Sequence, residues 1–116
     1  MTARLDSYIK NMFAAIQTQY PDLDLYAYDV VNEAWMEDGS LRKWWANWYT
    51  TIGEEYLWYA FYYADKYAPE HIDLFYNDYN TFMREKTDAI YKLASHLQEK
   101  GLIDGIGMQG YMDLSF

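Results

Sequence analysis

The chain contains no cysteine. That excludes a disulfide framework and any thiolate metal site. It leaves the compartment open, because secreted bacterial enzymes also do without disulfides. Histidine is nearly as scarce, with His71 and His96 alone. The first falls in a turn and the second on the polar face of a helix, so neither a histidine metal site nor a cofactor is expected. Basic residues are few: 9 Lys and Arg stand against 18 Asp and Glu, for a net charge of −9 and an isoelectric point near 4.4. Such a balance argues against nucleic acid and anionic membrane surfaces as partners. No apolar run reaches the ~18 residues of a membrane-spanning helix. Residues 1–10 lack the basic and apolar regions of a signal peptide, which leaves a cytoplasmic protein or an internal segment. A phosphate-cradling loop is missing as well. Gly105-Ile106-Gly107 lies at a strand with no helix start after it. No Ser-His-Asp set suggests itself.

What the chain has in excess is aromatic surface. Hydrophobic residues make up 52% and aromatics 21%, with 14 Tyr and 5 Trp among 116 residues. The hydrophobic share excludes a disordered chain. The aromatics have two readings: stacking platforms for sugars, or amphipathic Tyr side chains on the outer helices of a larger barrel.

Residues 4–20 place Leu5, Ile9, Met12, Phe13, Ile16 and Tyr20 at helical spacing, and Pro21 stops the helix. A strand is predicted over 25–32, where an apolar, β-branched and aromatic run ends in Asn32-Glu33. Asp38-Gly39-Ser40 marks a turn within a long connection that gathers Trp44, Trp45, Trp48 and Tyr49. That connection is either a cleft wall or a self-packed cover. Thr51-Ile52-Gly53-Glu54 fits a capping box opening a helix to about residue 67, with Leu57, Ala60, Phe61 and Ala64 inward. A second strand is predicted over 72–77. A third helix over 82–100 has Phe82, Ala89, Ile90, Leu93, Ala94 and Leu97 on one face and closes at Lys100-Gly101. A third strand follows at 104–109. Alternation of helix and strand predicts parallel strands with right-handed crossovers.

Parallel α/β sheets put their chemistry at the carboxyl ends of the strands. Glu33 stands at such an end, where it is either a reactive carboxylate or a solvated loop residue. Three words there share order and spacing with one family. Tyr28-Asp29-Val30-Val31-Asn32-Glu33-Ala34, then Leu74-Phe75-Tyr76-Asn77-Asp78-Tyr79-Asn80, then Ile103-Asp104-Gly105-Ile106-Gly107-Met108-Gln109-Gly110 resemble strands four to six of glycoside hydrolase family 10, the endo-1,4-β-xylanases. A whole (β/α)8 barrel takes about 250 residues. The resemblance therefore implies an α/β fold that is part of a TIM barrel, with residues 1–116 running from its third helix to its sixth strand.

The resemblance implies a retaining endo-1,4-β-xylanase acting on xylan or xylo-oligosaccharide, extracellular and without cofactor. Such enzymes use two carboxyl groups about 5–5.5 Å apart. Glu33 takes the acid/base position. Asn32 takes that of a residue bonding the sugar 2-hydroxyl, Asn77 and Tyr79 those of cleft-lining residues, and Gln109 that of a residue bonding substrate and the catalytic centre. The strand bearing the nucleophile is outside this chain. Tyr28 stands where the family usually has Trp, and Tyr111 where it usually has a His that bonds the nucleophile. Strand alternation would set Tyr111 on the same face as Gln109. The alternative function is a non-catalytic carbohydrate-binding or structural segment completed by another chain. A self-contained flavodoxin-like domain is weakened by the missing phosphate loop. Three strands of a barrel also leave unpaired edges, from which self-association or pairing with a complementary fragment is expected.

Overall fold

A computed structural model describes residues 1–43 and 47–115. Trp44 and Trp45, two of the aromatics in the long connection, lie outside the described residues. The elements in chain order are α1 (Thr2–Gln19), β1 (Ala27–Asn32), α2 (Asn47–Ile52), α3 (Tyr56–Tyr67), β2 (Asp73–Tyr79), α4 (Arg84–Glu99) and β3 (Gly105–Gln109). The three strands form one parallel sheet in the order β1-β2-β3. These are the parallel strands that the alternation of helix and strand predicted, and they fit the part of a TIM barrel that the resemblance implies.

The helices cover one face of the sheet, because that face and the helices share one apolar cluster. Val31, Leu74 and Tyr76 of the strands are buried with Leu5, Ile9 and Phe13 of α1, Leu57, Ala60, Phe61 and Ala64 of α3, and Ile90 and Leu97 of α4. Each large side chain fully buried in such a cluster is worth roughly 1.5–3 kcal/mol in removal from water. All four residues expected inward on α3 are there. On α1 the stripe ends sooner than its spacing suggests, and Tyr20 is exposed.

Three expectations need correction. The capping box does not form: Thr51 Oγ1 donates back to the carbonyls of Asn47 and Trp48, inside a separate short helix. Gly53, at φ 94°, breaks the chain there, and α3 starts at Tyr56 with no side-chain cap. The second strand does not stop at residue 77 but runs on through Tyr79. Phe82 is exposed and precedes α4. The inner stripe of α4 instead contains Lys86, which is fully buried. The helix end is as expected: Gly101 adopts φ 68°, and Leu102 N–H returns to the Leu97 carbonyl.

One irregularity decides which side chains reach the other face. Between Asp29 and Val31 the pairing of β1 with β2 shifts, so Val30 is an extra residue. Without it, alternation would place Val31 beside Asn77 and turn Asn32 toward the helices. With it, Val31 pairs with Tyr76 on the buried face, and Asn32 pairs with Asn77 on the open one.

Candidate functional site

All three strands end at the same rim, so the residues at their carboxyl ends meet. Asn77 Nδ2 donates to Asn32 Oδ1 at 2.8 Å. Gln109 Nε2 lies 3.1 Å from Asn32 Oδ1 and 3.1 Å from Glu33 Oε1. Four of the residues singled out in the sequence thus form one hydrogen-bonded cluster. Both donors fall on the Asn32 oxygen, which fixes its amide orientation and keeps the Nδ2 hydrogens for a ligand.

The third strand is built to admit this cluster. Gly107 pairs with Asn77. A Cβ at Gly107 would stand 2.6 Å from Asn77 Oδ1, and one at Gly105 would collide with the Phe75 ring. The two glycines that make no phosphate loop instead clear space for side chains of β2.

Glu33 itself is half-buried and sits one residue past β1 with φ 55°, the left-handed region. For a residue with a side chain that conformation costs roughly 1–2 kcal/mol. The surroundings impose it. Glu33 N–H donates to the Asn77 carbonyl at 2.9 Å. Arg42 Nε donates to the Glu33 carbonyl at 2.9 Å. Ala34 N–H donates to the Tyr76 hydroxyl at 3.0 Å.

Tyr79 reaches the rim differently from its neighbours. Its hydroxyl accepts Arg42 Nη2 at 2.9 Å, and Lys86 Nζ lies 3.7 Å from its ring centroid. Burial works against the charge of Arg42. The Tyr79 hydroxyl and the carboxylates of Glu33 and Glu37 outweigh it and hold the guanidinium above its usual range. Glu37 is held below the carboxylate range, first by its own backbone N–H, against some burial, with help from Tyr79, Lys86 and Asn80.

Tyr111 does not join the cluster. The strand ends at Gln109, so the alternation that would aim residue 111 stops there, and the side chain is 76% exposed. Tyr28, by contrast, is a packing residue: its ring meets Phe13 at 5.3 Å and its hydroxyl lies 2.8 Å from Met12 Sδ.

The long connection closes on itself in its first half. Trp35 and Leu41 form an antiparallel bridge around the Asp38-Gly39-Ser40 turn, and Ser40 N–H bonds Asp38 Oδ1 at 2.9 Å. This small hairpin brings Arg42 back under Glu33. Beside it, between α1 and β1, is a cavity of about 460 Å³ lined by Leu5, Ile9, Met12, Phe13 and Tyr28, with Glu33 and Arg42 at one end. Asn32 also lines it, so the mostly apolar cavity adjoins the polar groups of the rim. Among the described residues no group of three His, Cys, Asp or Glu could hold a metal, and no helix is long and apolar enough to cross a membrane.

Arg42, Tyr76, Asp78, Lys86 and Gly107 were not singled out from the sequence. Their partners lie up to 49 positions away, beyond any local pattern. Lys86 alone left a trace, since it shares the helical stripe of Ile90 and Leu97.

Residues 1–115 match the family model described as Glycosyl hydrolase family 10. The chain is 52% identical over its full length to a Caldicellulosiruptor saccharolyticus protein assigned as an endo-1,4-beta-xylanase, and spans 37% of that relative. It is 44% identical over 97% of its length to endo-1,4-beta-xylanase Y of Acetivibrio thermocellus, and spans 12% of it. Among solved structures, the N-terminal endo-1,4-beta-D-xylanase 10B of Clostridium thermocellum, complexed with xylohexaose, superposes with a TM-score of 0.89 at 47% identity, over 96% of this chain and 24% of that one. An intracellular xylanase of Thermoanaerobacterium saccharolyticum does so with a TM-score of 0.80 at 37% identity, over 93% of this chain and 33% of that one.

Proposed function

Because the chain belongs to glycosyl hydrolase family 10, we propose that it supplies the acid/base half of a retaining endo-1,4-β-xylanase, with Glu33 as the acid/base. The observation that carries this reading is the contact of Gln109 Nε2 with both Glu33 Oε1 and Asn32 Oδ1. It links the carboxyl group beyond β1 to an amide of β3 and, through Asn32, to Asn77 of β2 at one rim.

The chemistry needs Glu33 protonated when the leaving oxygen departs and ionised when water attacks the glycosyl-enzyme. Asn32, oriented by Asn77 and Gln109, offers its Nδ2 to the sugar 2-hydroxyl, a bond that strengthens in the transition state. Asn77 and Tyr79 border the cleaved bond, and Tyr111 extends the cleft past β3. The nucleophile comes from a strand beyond these residues. Substrate is xylan or a xylo-oligosaccharide, and the parent enzyme is placed outside the cell, where a polymer is met. A xylanase described as intracellular among the matched structures marks the alternative, which fractionation of the producing culture decides.

The test uses a complete barrel in which residues 1–115 replace the matching segment of Clostridium thermocellum xylanase 10B. Glu33→Ala should lose xylan hydrolysis while release of an activated aryl group, which needs little protonation, survives. Near wild-type rates on both substrates would overturn the assignment.

A second reading, a non-catalytic carbohydrate-binding or structural segment, draws on Tyr111 in place of the family's His. It expects the grafted barrel to bind xylan without cleaving it. For the isolated chain we propose self-association or pairing with a complementary fragment. By register Ile106 and Met108 share the helix-facing side of the sheet with Tyr76 and Asp78, yet they are 37% and 73% exposed. Light scattering that finds a compact monomer at high concentration would contradict this.

A further inference from the structure

Behind the rim lies a set of buried polar groups with no direct part in binding sugar. Tyr76, Asp78 and Lys86 are all fully buried. The Tyr76 hydroxyl donates to Asp78 Oδ2. Asp78 Oδ1 accepts Tyr79 N–H at 2.8 Å and lies 2.9 Å from Lys86 Nζ. Glu37 Oε1 stands a further 3.9 Å from Lys86 Nζ. Taking such charges out of water costs several kcal/mol per ion, and well-packed apolar residues often serve stability as well or better. The arrangement therefore calls for a reason other than stability.

We propose that Tyr76, Asp78 and Lys86 act as positioning residues that fix the aim of Glu33; the inference rests on Glu33 being the acid/base. The link is the Tyr76 oxygen. A hydroxyl has one proton to give, and its direction decides where its lone pairs point. Asp78 Oδ2 accepts the hydrogen bond made by that proton, which leaves a lone pair for Ala34 N–H at 3.0 Å. Lys86 Nζ, 2.9 Å from Asp78 Oδ1, holds the carboxylate in that place. Ala34 N–H belongs to the peptide plane that follows Glu33, and Arg42 Nε holds the carbonyl of the same plane. The plane that precedes Glu33 is held by its N–H to Asn77. With both planes fixed, φ and ψ of Glu33 are fixed in the left-handed region, and so is its Cα–Cβ direction. Arg42 and Tyr79 close the circuit, because Tyr79 carries Lys86 over its ring and Arg42 on its hydroxyl. Without the relay Glu33 would relax toward ordinary backbone and carry its carboxyl off the leaving oxygen.

The experiment uses the same grafted barrel and a double-mutant cycle. Tyr76→Phe keeps the ring and removes the oxygen. Its kcat on xylan should fall about 10–100-fold, part of what a general acid contributes. KM, and the rate of aryl release in the first turnover of an activated aryl xylobioside, should stay within about 3-fold, since that step needs little protonation. In a Glu33→Ala background the added loss should vanish, because there is no carboxyl left to aim. Equal losses on both substrates, or a loss that multiplies with Glu33→Ala, would mean a merely structural role and overturn the relay. Those outcomes leave the acid/base assignment standing, which falls only if Glu33→Ala itself is near wild type. Should Tyr76→Phe not fold, Asp78→Asn carries the same test with the same expectation. If neither folds, the residues hold up the barrel itself and the positioning role is refuted.

Discussion

The carboxyl rim of the sheet and the layer just behind it are both polar, yet they are polar for different reasons. At the rim, Asn32, Glu33, Asn77 and Gln109 are exposed or half-buried and leave donors open to a ligand. Behind it, Tyr76, Asp78 and Lys86 are sealed from water and spend their bonds on one another and on backbone. Removing a rim group should cost rate with little loss of stability. Removing a sealed group strands its partner in a low-dielectric interior and should cost stability first. The difference separates residues that do chemistry from residues that hold them in place.

The largest effect expected at the rim is that of Glu33→Ala, about 100-fold or more on xylan in the grafted barrel, with a melting temperature near that of the parent. A large drop in melting temperature would erase the contrast. Lys86→Met gives the opposite signature. It leaves Asp78 buried without its ion-pair partner, which should lower unfolding free energy by about 3–5 kcal/mol in denaturant melts. A loss under about 1 kcal/mol would show that the pair is not sealed as described.

Gly107→Ala sharpens the comparison because it touches the rim from the sheet itself. The new Cβ would press on Asn77 Oδ1 and break its bond to Asn32. We expect about 10-fold lower kcat/KM on xylan, corresponding to roughly 1.4 kcal/mol of transition-state stabilisation. Unchanged kinetics would show that Asn77 does not orient Asn32.

The smallest effect lies in neither region. Tyr56, in the helical core, is pushed up to about 12 by burial. Below about pH 10 the phenol is protonated in both folded and unfolded chains. Between there and its folded value the unfolded chain ionises first, so stability falls as pH rises. Tyr56→Phe should make that alkaline slope shallower by at most one proton, read from denaturant melts across the window. A slope that does not change would place Tyr56 in water.

The sequence made the rim visible and hid its support, for a physical reason. Asn32-Glu33, Asn77 and Gln109 are polar residues at the ends of apolar runs, and strand ends can be recognised locally. Strand β2 seemed to end two residues earlier than it does because Asn77 and Tyr79 face the open rim while Asp78 is buried against Lys86. With polar groups on both faces, alternation gives no signal there. Lys86 shares the inner stripe of its helix but was not singled out, because a lysine is rarely fully buried unless paired. Its pair, eight residues earlier, belongs to another element. The capping box failed because the Thr51 hydroxyl is satisfied by the turn before it. Tyr111 escaped the alternation rule because the strand ends two residues earlier.

The central claim, that Glu33 gives and takes a proton, is tested most directly by the product formed when it is absent. In the grafted Glu33→Ala barrel, an activated aryl xylobioside should still load the nucleophile, and the glycosyl-enzyme should then persist because no base activates water. Azide needs no base. Adding it should restore turnover and yield the β-glycosyl azide, identified by NMR from its retained anomeric configuration. Turnover unaffected by azide, with xylobiose as the only product, would contradict the account.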